Sequence, residues 1–396
     1  MIRGVKSFDL KHKRVLVRVD FNVPIENDVV RDDFRIRAAL PTIKYCLSAG
    51  SSVILMSHLG RPKGKVVPEL SLIPVGEKLA ELLEMPIKFS DDCISEDATD
   101  VSFGLHPGEI HLLENLRFHE EESKNDADFS NLLAKHGQVY INDAFGTAHR
   151  AHASNVGVTT HFINRGVGFL VEKELQYLEK VIQKPKRPLV LVLGGAKIDT
   201  KLGLIRKFLD EADSIIIGGG MVFTFLKARG IPVGGSLVDD SMVETAKSIL
   251  RQSRTRKVKL LFPDDVVIAK EISEGIQTEI SPVNKIPKNQ MGLDIGPETI
   301  KTYCDVIGSA GTVIWNGPMG VFETPGFDQG SLAIAEAMVA LHTMGAIVVV
   351  GGGDTAAAVE KFELSNEMSH VSTGGGASLE LLSGRKLPAI AALESS

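Results

Sequence analysis

Short apolar runs alternate with longer stretches of helical spacing along the whole chain. "VLVRV" (15–19), "VILM" (53–56), "IHLL" (110–113) and "VYIND" (139–143) recur through the first half, and "LVLVL" (189–193), "IIIG" (215–218), "VIWN" (313–316) and "VVVG" (348–351) through the second. Strands separated by helical patterns predict βαβ units and parallel sheets, an α/β fold. No short-period repeat and no low-complexity tract interrupts the pattern. Between the halves, "VEKELQYLEKVIQ" (171–183) has helical spacing and runs into "KPKRP". A helix stopped by prolines predicts an inter-domain connector at about 171–184, against the plainer reading of a surface helix within one large domain. The expectation is therefore two Rossmann-like parallel-sheet domains, 1–170 and 171–378, facing each other across a cleft.

The residues just beyond each strand differ between the halves. In the first half the strand tips carry Asp20, Phe21 and Asn22, then His58, Leu59, Gly60 and Arg61, then Asn115 and Arg117, then His149 and Arg150; Arg35 lies in "DDFRIR" beyond the first loop. Ligands of open α/β sheets bind beyond the carboxyl ends of the strands. Guanidinium forks there suit a small ligand rich in carboxylate and phosphate, since each fork grips two oxygens. The second half offers glycine instead: "LVLVLGGAK" (189–197), "IIIGGGM" (215–221), "VIWNGPMG" (313–320) and "VVVGGGDT" (348–355). Backbone that can be approached closely suits a phosphate chain and a flat ring.

Composition narrows the class. The chain has 396 residues, 43% hydrophobic and 24% charged, with a net charge of −6, which is ordinary for an enzyme and argues against a nucleic-acid partner. Three scattered cysteines, Cys46, Cys93 and Cys304, fit reduced thiols rather than a disulfide or zinc framework. The N-terminus lacks an apolar core of signal-peptide length, and no charge-free stretch is long enough for a bilayer. A cytoplasmic protein without membrane contact is expected.

Three local conflicts point to phosphates. Lys197 and Lys201 in "GGAKIDTK" stand four apart at an expected helix start, where like charges repel and cations oppose the dipole. A phosphate chain between them removes the penalty; two solvated lysines are the plain alternative. Asp354 beside an anion site makes sense where Mg2+ bridges carboxylate and phosphate, although Asp or Thr also caps helices well. "STGGGAS" (372–378) presents amides at the start of what reads as the final helix, suited to a transferring phosphoryl group. His149 and His152 have no further ligand nearby and read as non-metal residues. Neither a P-loop nor a dinucleotide fingerprint is present: in "GRPKGK" (60–65) the glycines are one residue too close and no Ser or Thr follows.

Taken in order, "RVDFNVP", "SHLGRP", "ENLRF", "NDAFGTAHR", "LGGAK", "GGGM", "WNGPMGVFE", "GGGDT" and "STGGGAS" resemble the phosphoglycerate kinase family over nearly the whole chain. The resemblance implies reversible phosphoryl transfer between ATP and the carboxylate of 3-phosphoglycerate. It implies that Asp20, Phe21, Asn22, Arg35, His58, Leu59, Gly60, Arg61, Arg117 and Arg150 hold the glycerate ligand. Lys201, Gly218, Gly219, Gly220, Gly292, Asn316, Glu323, Gly352, Gly353, Asp354 and Thr355 would hold the nucleotide, with Glu323 on the ribose, the 218–220 glycines near adenine and Asp354 facing Mg2+. A monomer is implied, with a tail at about 379–396 returning to the N-terminal domain. A carboxylate nucleophile is already ionised, so no general base is needed. Alignment and charge neutralisation remain, and Arg35, Lys197 and the amides of Gly374, Gly375 and Gly376 are chosen for that work. The rival classes are a nicotinamide-dependent oxidoreductase, which should show a dinucleotide fingerprint, and a non-catalytic two-lobed anion binder, which has no need of Asp354 or two lysines.

Overall fold

The computed structural model describes residues 2–256 and 258–394. Two compact units divide the chain, one made of Met1–Gln176 with Lys386–Ser396, the other of Tyr177–Arg385. The connector is a helix over Phe169–Gln183. The division falls inside it, later than the boundary at 170/171 expected from sequence. Residues 379–385 also stay with the second unit, and the tail enters the first only from Lys386.

The first unit is built on strands β1 (Arg14–Val19), β2 (Ser52–Met56), β3 (Lys88–Ser90), β4 (Ile110–Leu113), β5 (Val139–Asp143) and β6 (Arg165–Val167). They form one sheet in the order β3-β4-β2-β1-β5-β6, every neighbouring pair parallel. The apolar runs are buried because helices cover both faces, as parallel sheets require. Val15, Val17 and Val19 pack with Ile36 and Ile43 of the helix Phe34–Ser48 in the main core of this unit. The tail docks through Ala389 N–H on the Ala148 carbonyl at 3.1 Å.

The second unit holds β7 (Leu189–Leu193), β8 (Ser214–Ile217), β9 (Lys259–Leu261), β10 (Asp265–Ala269), β11 (Glu279–Pro282), β12 (Met291–Ile295), β13 (Thr312–Asn316), β14 (Ile347–Gly351) and β15 (His370–Val371). Its main sheet runs β9-β8-β7-β13-β14-β15, again all parallel. A separate antiparallel sheet, β11-β10-β12, stands beside it in sequence. In each main sheet the order reverses beside the first strand, at β1/β5 and at β7/β13. Such reversal points open a crevice at the carboxyl ends, where the loops carrying the candidate residues begin.

Candidate functional site

At the reversal point of the first sheet the polar residues form a bonded cluster. Asp20 Oδ2 accepts from Arg35 Nη1 at 3.0 Å, and the same nitrogen donates to the Asn22 carbonyl at 3.2 Å. Asn22 Oδ1 accepts from Gly60 N–H at 2.8 Å, and the Gly60 carbonyl accepts from Arg117 at 2.7 Å. Gly60 has φ +61°, and a Cβ there would meet the Leu70 side chain at 2.7 Å, so a larger residue would be strained and would push Leu70 aside.

His58 is buried, and its pKa lies well below the ordinary value through burial, then through Arg18, Arg117, Arg150 and Arg35. It is a neutral imidazole. Its Nδ1 lies 3.2 Å from Arg18 Nη2, and because guanidinium only donates, Nδ1 is the acceptor. Asp20 Oδ1 stands 3.8 Å from the same nitrogen, too far for a hydrogen bond, and is buried without a partner. Burial, Arg150 and Arg18 push Arg117 down to about 10, still charged at neutral pH. Arg150 is lowered by burial, with Asp20 opposing and Arg61 and Arg18 adding repulsion. Guanidiniums that repel one another in this way make a region of positive potential suited to an anion.

The second unit brings together a different set. A cavity of about 490 Å3 is lined by Gly195, Gly219, Gly220, Phe223, Gly292 and Met319, with the exposed carboxylates of Glu323 and Asp354 also contributing. Its walls are largely apolar, as a flat ring requires. A Cβ at Gly292 would lie 2.2 Å from the Phe223 ring, so glycine there keeps the wall open. A larger cavity of about 730 Å3, beside Arg229, Arg254 and Phe262, shares no residue with it and holds none of the strand-tip glycines. Lys201 donates to Asn316 Oδ1, and Asn316 Nδ2 donates to the Gly351 carbonyl at 2.7 Å. Burial lowers the Lys201 pKa while Asp354 opposes the shift, so the two face each other closely enough to interact.

Several expected residues are placed otherwise than their sequence pattern suggested. Lys197 and Lys201 do not share a face of one α-helix: Lys201 ends a 3-10 turn, Asp199–Lys201, and the α-helix starts only at Leu202. Lys197 is exposed, Lys201 turned inward, so their mutual repulsion is not the conflict the spacing implied. Phe21 and Leu59 belong to the core, and the Leu59 amide and carbonyl are both taken by Asn115. Thr355 Oγ1 is spent on Gly317 N–H at 2.7 Å and the Gly351 carbonyl at 2.9 Å. Gly374 N–H donates to Ser372 Oγ at 3.1 Å, which leaves Gly375 and Gly376 as the amides to consider. The helix they open, Gly376–Leu382, is not the last, since Pro388–Ala391 follows.

One residue escapes the sequence pattern. Arg18 is fully buried within β1, inside a run that reads as a plain apolar strand. A signal is present all the same: a charged residue in a doubly covered parallel strand needs a partner and a reason. Among the described residues, one group could offer metal ligands, Asp92, Cys93 and His119. There His119 Nε2 already bonds Asp92 Oδ2 at 2.8 Å, and burial holds the Cys93 thiol well above its ordinary pKa, hence protonated.

The sequence profile of the phosphoglycerate kinase family matches residues 5–385. The chain is 52% identical over 393 residues to a phosphoglycerate kinase of Chlorobium phaeobacteroides (strain BS1), covering 99% of both chains. It is 51% identical over 391 residues to that of Chloroherpeton thalassium, covering 99% of this chain and 98% of the other. Among solved structures it is similar to phosphoglycerate kinase from Coxiella burnetii, with a TM-score of 0.87, 38% identity and 99% coverage of both chains. The enzyme from Pyrococcus horikoshii OT3 gives 0.86 at 30% identity, with 99% and 98% covered.

Proposed function

The chain belongs to the phosphoglycerate kinase family, and on that premise we propose how its residues divide the work of one reaction. The reaction is reversible phosphoryl transfer between ATP and the carboxylate of 3-phosphoglycerate, giving 1,3-bisphosphoglycerate and ADP. The observation that carries the division is the guanidinium cluster around an orphaned carboxylate oxygen. Arg61, Arg117 and Arg150, with neutral His58, would hold the anionic groups, while Asp20 Oδ1 would accept the hydroxyl of the glycerate. The oxidoreductase and the non-catalytic binder draw no support from these relatives.

The 490 Å3 cavity would take the adenine ring, with Glu323 on the ribose and Lys201, held by Asn316, on the phosphates. Gly352 and Gly353 would meet the phosphate chain at the start of the helix Gly353–Lys361. Mg2+ fits the donor set present: Asp354 offers one exposed carboxylate in that first turn, and the ion takes its other oxygens from phosphates and water. When bound, the ion would neutralise charge on the nucleotide phosphates. His58, being neutral and hydrogen-bonded, is suited to donate to the substrate and is no general base. None is needed, because the attacking carboxylate is ionised at neutral pH. Arg35, Lys197 and the amides of Gly375 and Gly376 would neutralise the transferring group.

Among the described residues no helix is long and apolar enough to cross a membrane; a cytoplasmic monomer acting on small molecules, without nucleic acid, remains our reading. A coupled assay tests the function: Mg2+-dependent ATP consumption that requires 3-phosphoglycerate. Equal consumption without 3-phosphoglycerate, or none with it, would overturn it.

A further inference from the structure

We propose that Glu122, Ser154 and Arg18 form a positioning relay that holds His58 in the tautomer protonated at Nε2. The inference rests on the reading of His58 as a ligand-binding residue. Its geometry stands apart from that reading.

Glu122 is fully buried, and both of its oxygens are spent on Ser154. Oε2 accepts the Ser154 N–H at 2.9 Å and Oε1 accepts its hydroxyl at 2.6 Å. A buried carboxylate is costly unless its charge is answered. Arg117 lies within electrostatic reach of Glu122, and through Ser154 the carboxylate is joined to Arg18, also fully buried, whose Nε donates to Ser154 Oγ at 2.8 Å. Because the hydroxyl hydrogen already points at Glu122, Ser154 Oγ is free to accept from Arg18. The order of donation runs in one direction only: Arg18 to Ser154 to Glu122.

At its other end the guanidinium is equally committed. One nitrogen donates to the Val19 carbonyl, and Nη2 reaches His58 Nδ1 at 3.2 Å. The Tyr140 hydroxyl pins the Ser154 carbonyl at 2.8 Å, so the loop carrying the serine has a second anchor. Arg18 has no acceptor atom, so His58 Nδ1 must offer its lone pair and the ring proton must sit on Nε2. Nε2 has no protein partner among the described residues and is left as a donor for a ligand oxygen. In the other tautomer Nε2 would turn a lone pair on the anion, and Nδ1–H would face a cation. The group that decides this is Arg18, and Glu122, which never meets the ligand, holds it in place through Ser154.

Long-range 1H–15N spectra of the ligand-free protein test the proposal, with His58 assigned by comparison with His58→Gln. The wild-type protein should show the pyrrole-type nitrogen at Nε2 and the pyridine-type nitrogen at Nδ1. In Ser154→Ala, which removes the oxygen between the two buried charges, a substantial Nδ1–H fraction should appear. The KM for 3-phosphoglycerate should rise roughly tenfold or more while the KM for ATP stays unchanged. Glu122→Gln, which keeps the shape but loses the charge, should fall between Ser154→Ala and wild type. A wild-type protein protonated at Nδ1 would overturn the proposal without any variant, as would Ser154→Ala with unaltered tautomer and KM. Since the spectra need no substrate, a failed phosphoryl-transfer assay would strike the functional reading and leave the tautomer result standing.

Discussion

Arg35 is half-buried and spends one nitrogen on Asp20 and Asn22, which leaves the rest of its fork available to a ligand. Lysine in its place keeps the charge and loses the planar fork. Arg35→Lys should therefore lower kcat at least tenfold while the Kd for nucleotide changes less than twofold. Normal turnover with weakened nucleotide binding would move Arg35 to another role. Asp354→Asn keeps the helix start and removes the charge, so calorimetry should find Mg2+-nucleotide bound about tenfold more weakly and 3-phosphoglycerate bound as before. Equal loss of both ligands would mean damage to the fold. At this scale the sequence was readable as to position: Asp20, Asn22 and Arg117 do meet in one bonded cluster, and Asp354 does line the 490 Å3 cavity. It misled where a side chain near the site is used for something else. Thr355, Leu59 and the Gly374 amide are all consumed by internal bonds, and no sequence pattern separates such a residue from one that faces a ligand.

Elements were more legible than their partners. Mainly apolar runs located β1, β2, β4, β5, β7, β8, β13 and β14, because strands covered on both faces tolerate little else. The lysine pair was misjudged since a 3-10 turn, invisible to helical spacing, separates the two orientations. Nor did the sequence disclose the polar chain beside β4. His136 Nε2 must donate to the Cys93 carbonyl, 3.1 Å away, so its Nδ1 accepts the Ser102 hydroxyl at 2.7 Å. His111 Nδ1 then donates to Ser102 at 2.8 Å, and its Nε2 accepts from Ser90 at 2.7 Å. With both rings neutral every contact in the chain has one donor and one acceptor. Burial accordingly pushes His111 down to about 3 and His136 to about 4. Both folded values lie below the ordinary 6.5. Above it neither state binds a proton, and stability is unaffected. As pH falls below 6.5 the unfolded chain takes up protons that the folded one refuses, and stability declines until the folded values are reached. At pH 5 each ring should cost about 2 kcal/mol. Asp143 and Asp294, pushed up to about 7 by burial, oppose this trend in the wild type, so the test is differential: between pH 7.5 and pH 5, urea unfolding of His136→Gln should lose about 2 kcal/mol less than the wild type. Equal pH dependence in the two proteins would mean that the ring is not held neutral.

For the whole molecule, the segregation of chemistry is the central fact: guanidiniums at the reversal point of one sheet, glycines, Lys201 and Asp354 at that of the other. This was legible because strand tips differ so plainly between the halves. The exact division was not, because the connector helix is continuous and nothing in its spacing marks Gln176 as the last residue of one unit. Phosphoryl transfer requires the reacting atoms to be about 3 to 3.5 Å apart, with water kept from the acyl phosphate. If each unit binds one substrate, as proposed, the two are predicted to close on each other, with each ligand alone supplying only part of the contact energy that favours closure. X-ray scattering tests this most directly, using 3-phosphoglycerate with ADP, a pair that cannot react. The radius of gyration should be smaller with both ligands than with either one or none. A doubly liganded protein as extended as the free one would contradict the account.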